Sequence, residues 1–218
     1  MVMAACSPDD GLLISIRMNA KNREKTMATN NVPKINPAAL GLVGFGLTTV
    51  LLSLINSGVL PAAGENVVIP LAITFGGIIQ IIAGLLEVRS ENTFGMTAFL
   101  SYGAFWLWFA LLLMLGHNHI IDLTGAGTTI GVALILWGVF SLYLWVSTFA
   151  ISRLLLLIFL TLWITFFLLG AGILLAQPAL TQFGGWLGLV CGTLAMYGSF
   201  AITTNATFGR NVLPIGAR

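Results

Sequence analysis

Leu154 to Gly209 reads LLLLIFLTLWITFFLLGAGILLAQPALTQFGGWLGLVCGTLAMYGSFAITTNATFG, 56 residues without one charged side chain. A helix crossing the hydrocarbon core of a bilayer takes about 20 mostly apolar residues. The run is therefore long enough for two crossings, and Gln177-Pro178 marks the turn between them. Working outward, the other long uncharged intervals lie between Lys34 and Glu65, Glu65 and Glu87, Glu91 and Asp122, and Asp122 and Arg153. Each holds one crossing, so the sum is six.

The composition agrees. The 218-residue chain is 58% hydrophobic and 7% charged, whereas soluble domains run near 25% charged. A soluble fold, a secreted disulfide scaffold, a disordered chain and a nucleic-acid binder are excluded. So is an outer-membrane barrel, because the segments are continuously apolar and do not alternate. The expected class is an all-α integral membrane protein with spans near Pro37–Asn56, Val67–Leu86, Thr93–Leu115, Thr129–Phe149, Leu154–Leu175 and Gln182–Thr203. Residues 1–35 read as a mobile cytoplasmic tail, 36–210 as the six-helix transport domain and 211–218 as a cytoplasmic C-terminal tail. The apolar run Leu12–Ile16 is too short for a signal sequence, and Met18 and Met27 are further candidate starts. Cys6 and Cys191 have no metal-like spacing and are expected to be free thiols.

Six spans put both termini on one side. That side carries all nine Lys and Arg, while the other holds Glu65, Asp122, His117 and His119. Basic loops stay cytoplasmic during insertion, which places both termini in the cytoplasm and the protein, multi-pass, in the plasma membrane. The first, third and fifth spans begin there, each after a residue suited to N-capping: Asn36, Asn92 and Ser152. An aromatic-Gly-x-Phe quartet recurs at Tyr102–Phe105, Trp137–Phe140 and Tyr197–Phe200. These pairings suit three helical hairpins around a central pore.

Gly184, Gly188 and Gly192 form two GxxxG steps, which allow close helix approach. Gly77, Gln80, Gly84 and Glu87 share one helix face, and intramembrane polar groups are functional candidates. Gln80 either bonds a neighbouring helix or faces a solute. Glu87 is either structural or the candidate for proton coupling. Hydroxyls at Thr48, Thr49, Thr97, Ser101, Ser141, Thr161 and Thr165 either bond the carbonyl one turn back or line a path for a small polar solute. His117, His119 and Asp122 suit a solvated loop better than a metal or pH site. There is no nucleotide-binding loop, catalytic triad, zinc-protease motif or intramembrane carboxylate pair, so neither an enzyme nor a cofactor is expected.

The motifs also resemble a known family. Asn36-Pro37-Ala38-Ala39-Leu40-Gly41-Leu42 followed by Gly44-Phe45-Gly46 is similar to the opening signature of the acetate uptake transporters, which include the bacterial succinate–acetate permeases. The resemblance continues through Phe75-Gly76-Gly77, Gln80, Ala83–Glu87, Asn92–Gly95, Thr97–Phe99, Ser101–Gly103, Trp137–Phe140, Gly185-Trp186, Phe208–Arg210 and Leu213–Gly216. Ala39 departs from the family's usual Pro. The resemblance implies a homo-hexamer with one path per protomer for small monocarboxylates, acetate foremost and succinate as a further substrate. It also implies a hydrophobic constriction at Phe45, Tyr102 and Leu162.

Depth supports that assignment. These residues lie nine, ten and ten positions after Asn36, Asn92 and Ser152, which is about 14–15 Å at 1.5 Å per residue and half of a 30 Å core. Expected path residues are Asn36, Thr48, Gln80, Asn92, Ser101 and Thr161. Free N–H groups at the helix starts after Asn36 and Asn92 would stand in for a cation, and the Tyr102 hydroxyl would touch a passing carboxylate. The alternatives are a passive anion channel, a conduit for another small solute such as ammonia, and a non-transporting membrane assembly.

Overall fold

The computed structural model describes residues 17–19 and 35–217. Apart from those positions, the expected tail of 1–35, with Cys6, lies outside the described residues. Among the described residues six helices are long and apolar enough to cross a membrane: α1 (Ala38–Asn56), α2 (Ala62–Arg89), α3 (Thr93–His117), α4 (Gly127–Thr148), α5 (Arg153–Leu174) and α6 (Pro178–Phe208). The expected six-helix membrane class is borne out. In hydrocarbon every backbone N–H and C=O needs an internal partner, and a helix supplies one.

Two helices run well beyond the spans expected from sequence, α2 and α6. At 31 residues, α6 spans about 46 Å, more than the hydrocarbon core. It stops at Gly209, whose φ of 64° is the left-handed conformation that glycine adopts without strain. The other long helix, α2, is irregular. Pro70 interrupts its hydrogen-bond ladder, because proline offers no N–H. A π-helical stretch, Ala72–Ile79, follows before regular α-helix resumes at Gln80. Such widened turns rephase a helix and recur at functional sites.

The helices pack in chain order as a closed ring. Neighbours α1 and α2, α2 and α3, α4 and α5, and α5 and α6 lie side by side, and α6 returns to α1. The GxxxG row serves this closure within the protomer. A Cβ on Gly192 would stand 2.9 Å from the Gly46 carbonyl oxygen, so a larger residue there would push α1 and α6 apart.

The α3–α4 pair is the thin place. Their backbones barely meet, and aromatic rings fill the gap: Tyr102 to Phe140 at 5.5 Å and Phe105 to Trp137 at 5.1 Å between centroids. The first two aromatic quartets thus meet each other. The third serves elsewhere, since the Tyr197 hydroxyl donates to the Pro214 carbonyl at 2.9 Å.

Residues 211–217 form a strap from the end of α6 to the start of α5. Asn205 holds it on α6, its Oδ1 accepting from the Val212 and Leu213 N–H groups and its Nδ2 donating to the Leu213 carbonyl. The strap's Gly216 and Ile215 carbonyls accept from the Arg153 and Leu154 N–H groups at 2.8 and 3.4 Å. Those N–H groups lie in the first turn of α5 and have no partner within the helix.

Candidate functional site

Three cavities lie along the ring's interior. At the end where α1, α3 and α5 start, a cavity of about 220 Å³ is walled by Asn36, Asn92 and Ser152 with Phe94, Leu155 and the strap residue Ile215. All three expected capping residues meet there, and each caps its helix. Asn36 Oδ1 accepts from the Ala38 N–H at 3.0 Å, Asn92 Oδ1 from Gly95 at 3.0 Å, and Ser152 Oγ from Leu155 at 3.1 Å.

Deeper lies a cavity of only about 30 Å³, room for about two waters. It shares Leu42, Phe94, Phe99 and Leu155 with the wider one above. Its wall includes Phe45, Tyr102, Leu162 and Gln80. The three residues that the resemblance implied, and whose depth agreed, thus face one space from three helices. They are 6%, 2% and 4% exposed, and the Phe45 and Tyr102 ring centroids stand 5.7 Å apart.

The same faces continue toward the other end. Leu52 is seven residues beyond Phe45, Phe105 three beyond Tyr102 and Phe166 four beyond Leu162, and all three wall a cavity of about 240 Å³. The perpendicular Phe105 and Phe166 rings, 5.2 Å apart, stand at its inner end. Asn56, Glu65 and Thr181 bring polarity to its wall.

Gln80 is completely buried, and neither amide atom has a hydrogen-bond partner among the described residues. The interhelical bond that sequence alone allowed is not made. The shared face of Gly77, Gln80, Gly84 and Glu87 is buried throughout.

Three expected path residues stand elsewhere. Ser101 walls an open groove between α3 and α4 with Trp108 and Trp137. The Thr161 hydroxyl donates to the Leu157 and Ile158 carbonyls. Each immediately precedes a residue in the wall of the small cavity, and successive helical side chains diverge by about 100°. Neither can share its neighbour's direction. Thr48 is fully buried, donates to the Gly44 carbonyl at 2.9 Å and lies against Gly76. All three lie off the walls of the three interior cavities.

Two further expected groups are already engaged. The Tyr102 hydroxyl is bonded across to α4. It donates to Ser141 Oγ at 2.8 Å, while Ser141 donates to the Trp137 carbonyl at 2.7 Å. The helix starts are not free cation substitutes either. Capping side chains and the strap engage α1 and α5, and Glu87 sits beside the first turn of α3. One Glu87 oxygen accepts from Asn92 Nδ2 at 2.8 Å, and its carboxyl carbon would lie 2.8 Å from a Cβ on Gly95. A carboxylate at a helix N-terminus is well placed electrostatically, which gives Glu87 a structural task.

Sequence reasoning missed Phe105 and Phe166 in the wall of the far cavity and Ile215 in that of the near one, and named Ser141 only as one hydroxyl among several, able to bond the carbonyl one turn back as it does. The recurring quartet pointed to Phe105. Cys191 is buried and free, its Sγ donating to the Ile158 carbonyl at 3.4 Å. On the far loop, Asp122 accepts from Thr124, which holds its carboxyl below the usual range. It lies in a shallow hollow with His119, apart from the interior cavities.

The model of the GPR1/FUN34/yaaH family matches residues 20–215. An Escherichia coli (strain K12) protein named succinate-acetate/proton symporter SatP is 44% identical over 186 residues, covering 85% of this chain and 97% of that protein. A Saccharomyces cerevisiae protein named ammonia transport outward protein 2 is 36% identical over 174 residues, covering 76% of this chain and 60% of that protein. The solved structure of the bacterial acetate channel SatP superimposes with a TM-score of 0.80 at 43% identity, over 84% of this chain and 99% of that one.

Proposed function

The chain belongs to the GPR1/FUN34/yaaH family, and from that premise we propose that it carries small monocarboxylates across the plasma membrane, acetate foremost, with the dicarboxylate succinate as a further substrate. The observation that carries this reading is the stacking of a very small cavity, walled by Phe45, Tyr102 and Leu162, between two wider ones. An apolar constriction closes to water and bulk ions by dewetting, while a short acid covers its own carbons with the same apolar wall. Capacity for about two waters sets a tight size limit.

The carboxylate reading takes precedence over ammonia. The acetate-linked relative is the more similar of the two and matches over nearly its whole length. The two SatP names differ on coupling, one a proton symporter and one a channel. In this reading Phe45, Tyr102 and Leu162 form the gate, Gln80 is the polar group beside it, and Asn36 and Asn92 shape the near mouth. The basic loops put that mouth in the cytoplasm. Six protomers associate, each with its own path. Glu87 supports the start of α3, and a proton role for it is decided by substitution.

The test is competition. Uptake of labelled acetate into proteoliposomes should be blocked by excess propionate and unaffected by excess ammonium. Block by ammonium with indifference to propionate would reverse the choice between the two solutes.

A further inference from the structure

Gln80 opens the regular α-helix that follows the π-helical stretch of α2, and it helps wall the smallest cavity. A buried primary amide without partners is costly and calls for an explanation. Its neighbours in the wall, Leu42, Phe45, Ile158 and Leu162, offer it nothing. The nearby Tyr102 hydroxyl is already spent on Ser141. The unmet capacity is a donor and an acceptor side by side on one planar group. The last torsion of a Gln side chain is broad, so the amide can turn toward an occupant with little strain.

That edge distinguishes chemical forms of the same solute. A carboxylate ion has acceptors only. It would use Nε2 and leave Oε1 against a negative charge, in an apolar wall where an ion is heavily penalised. A protonated carboxylic acid offers a carbonyl and an O–H at matching spacing, and satisfies both halves of the amide in one ring. A second primary amide does the same without any proton to lose.

We infer that the cavity beside Gln80 takes solutes in neutral form through this paired edge, and that it admits small primary amides such as acetamide along with protonated monocarboxylic acids. Only the acid half rests on the carboxylate reading above. The proton balance is complete without a carrier residue. The anion takes up a proton on one side, crosses as the acid with that proton on its own oxygen, and releases it on the other side. One proton moves with each acid.

The experiment is uptake of labelled acetamide, beside labelled acetate, into proteoliposomes of the full chain, with protein-free vesicles as background. Acetamide uptake should exceed background several-fold and stay flat between about pH 6 and 8. Acetate uptake should fall roughly tenfold per pH unit there, following the acid fraction of an ordinary carboxyl. Gln80→Leu, checked for an unchanged helical signal and sedimentation, should lose both fluxes. Gln80→Glu offers the paired edge only while protonated, so its acetamide flux should become pH-dependent.

Acetamide at background while acetate is carried would overturn the inference and leave the carboxylate reading standing. Acetamide carried without acetate would sink the carboxylate reading and keep the inference. Failure of both solutes overturns both, and a folded Gln80→Leu that carries both removes Gln80 from the account.

Discussion

The hydroxyl of Tyr102 on α3 lies 2.8 Å from that of Ser141 on α4, and Ser141 passes the chain on to the Trp137 carbonyl. This relay ties two helices whose backbones barely touch. It also fixes the tilt of the Tyr102 ring against Phe45. The ring therefore stands as a wall of the small cavity, the proposed gate, and the hydroxyl as its anchor.

Tyr102→Phe keeps the ring and removes the anchor. It should lower stability by about 1 kcal/mol, the net worth of one hydrogen bond, and leave acetate uptake within about twofold. Ser141→Ala should cost more, about 1–3 kcal/mol, because a buried tyrosine hydroxyl is left unpaired. Thermal unfolding in detergent and initial uptake rates check both. A tenfold loss of uptake in Tyr102→Phe would return the hydroxyl to the substrate path.

Phe45→Ala and Leu162→Ala each remove bulk from the wall of the smallest cavity. Uptake of propionate and larger acids should rise several-fold relative to acetate. Stability should fall by about 2–4 kcal/mol, the usual range for emptying a packed apolar site. If both variants keep the parent's size preference, the gate lies elsewhere.

Glu87 accepts from Asn92 Nδ2, and Asn92 caps α3. Glu87→Gln retains an accepting oxygen for that bond. It should keep pH-driven acetate accumulation, since in the proposed crossing the proton travels on the substrate. Glu87→Ala should destabilise by about 1–3 kcal/mol through the orphaned amide. Loss of accumulation in a stable Glu87→Gln protein would make Glu87 the proton carrier.

Asn205 makes three hydrogen bonds to the C-terminal strap. Asn205→Ala should cost about 2–4 kcal/mol at about 1 kcal/mol per bond. Because Ile215 walls the near cavity, it should also alter the apparent KM for efflux from that side. An unchanged melting temperature would show that the strap contributes nothing to holding α5.

The spans were legible because lipid permits so few charges that the intervals between them count the helices. Depth was legible too, since a capped helix rises uniformly, and counting from Asn36, Asn92 and Ser152 brought Phe45, Tyr102 and Leu162 to one level. Direction was not. Ser101 and Thr161 have the right depth and the wrong azimuth, and only the neighbouring helices fix azimuth. The π-helical stretch after Pro70 was equally hidden, because local sequence shows a broken ladder without showing how it is repaired. The Tyr102–Ser141 pair joins residues 39 positions apart, beyond any local pattern. The strap was read as a plain tail because its bonds go to distant groups.

In the proposed function short carboxylic acids cross through the gate of Phe45, Tyr102 and Leu162. Its most direct test is the initial rate of labelled acetate uptake into proteoliposomes under an imposed inward proton gradient. Protein-free vesicles and vesicles without the gradient serve as references. The rate should be several-fold above that of protein-free vesicles, rising to an accumulation set by the gradient and only to equilibrium without it. A rate equal to that of protein-free vesicles, with the protein folded and inserted, would contradict the proposed function.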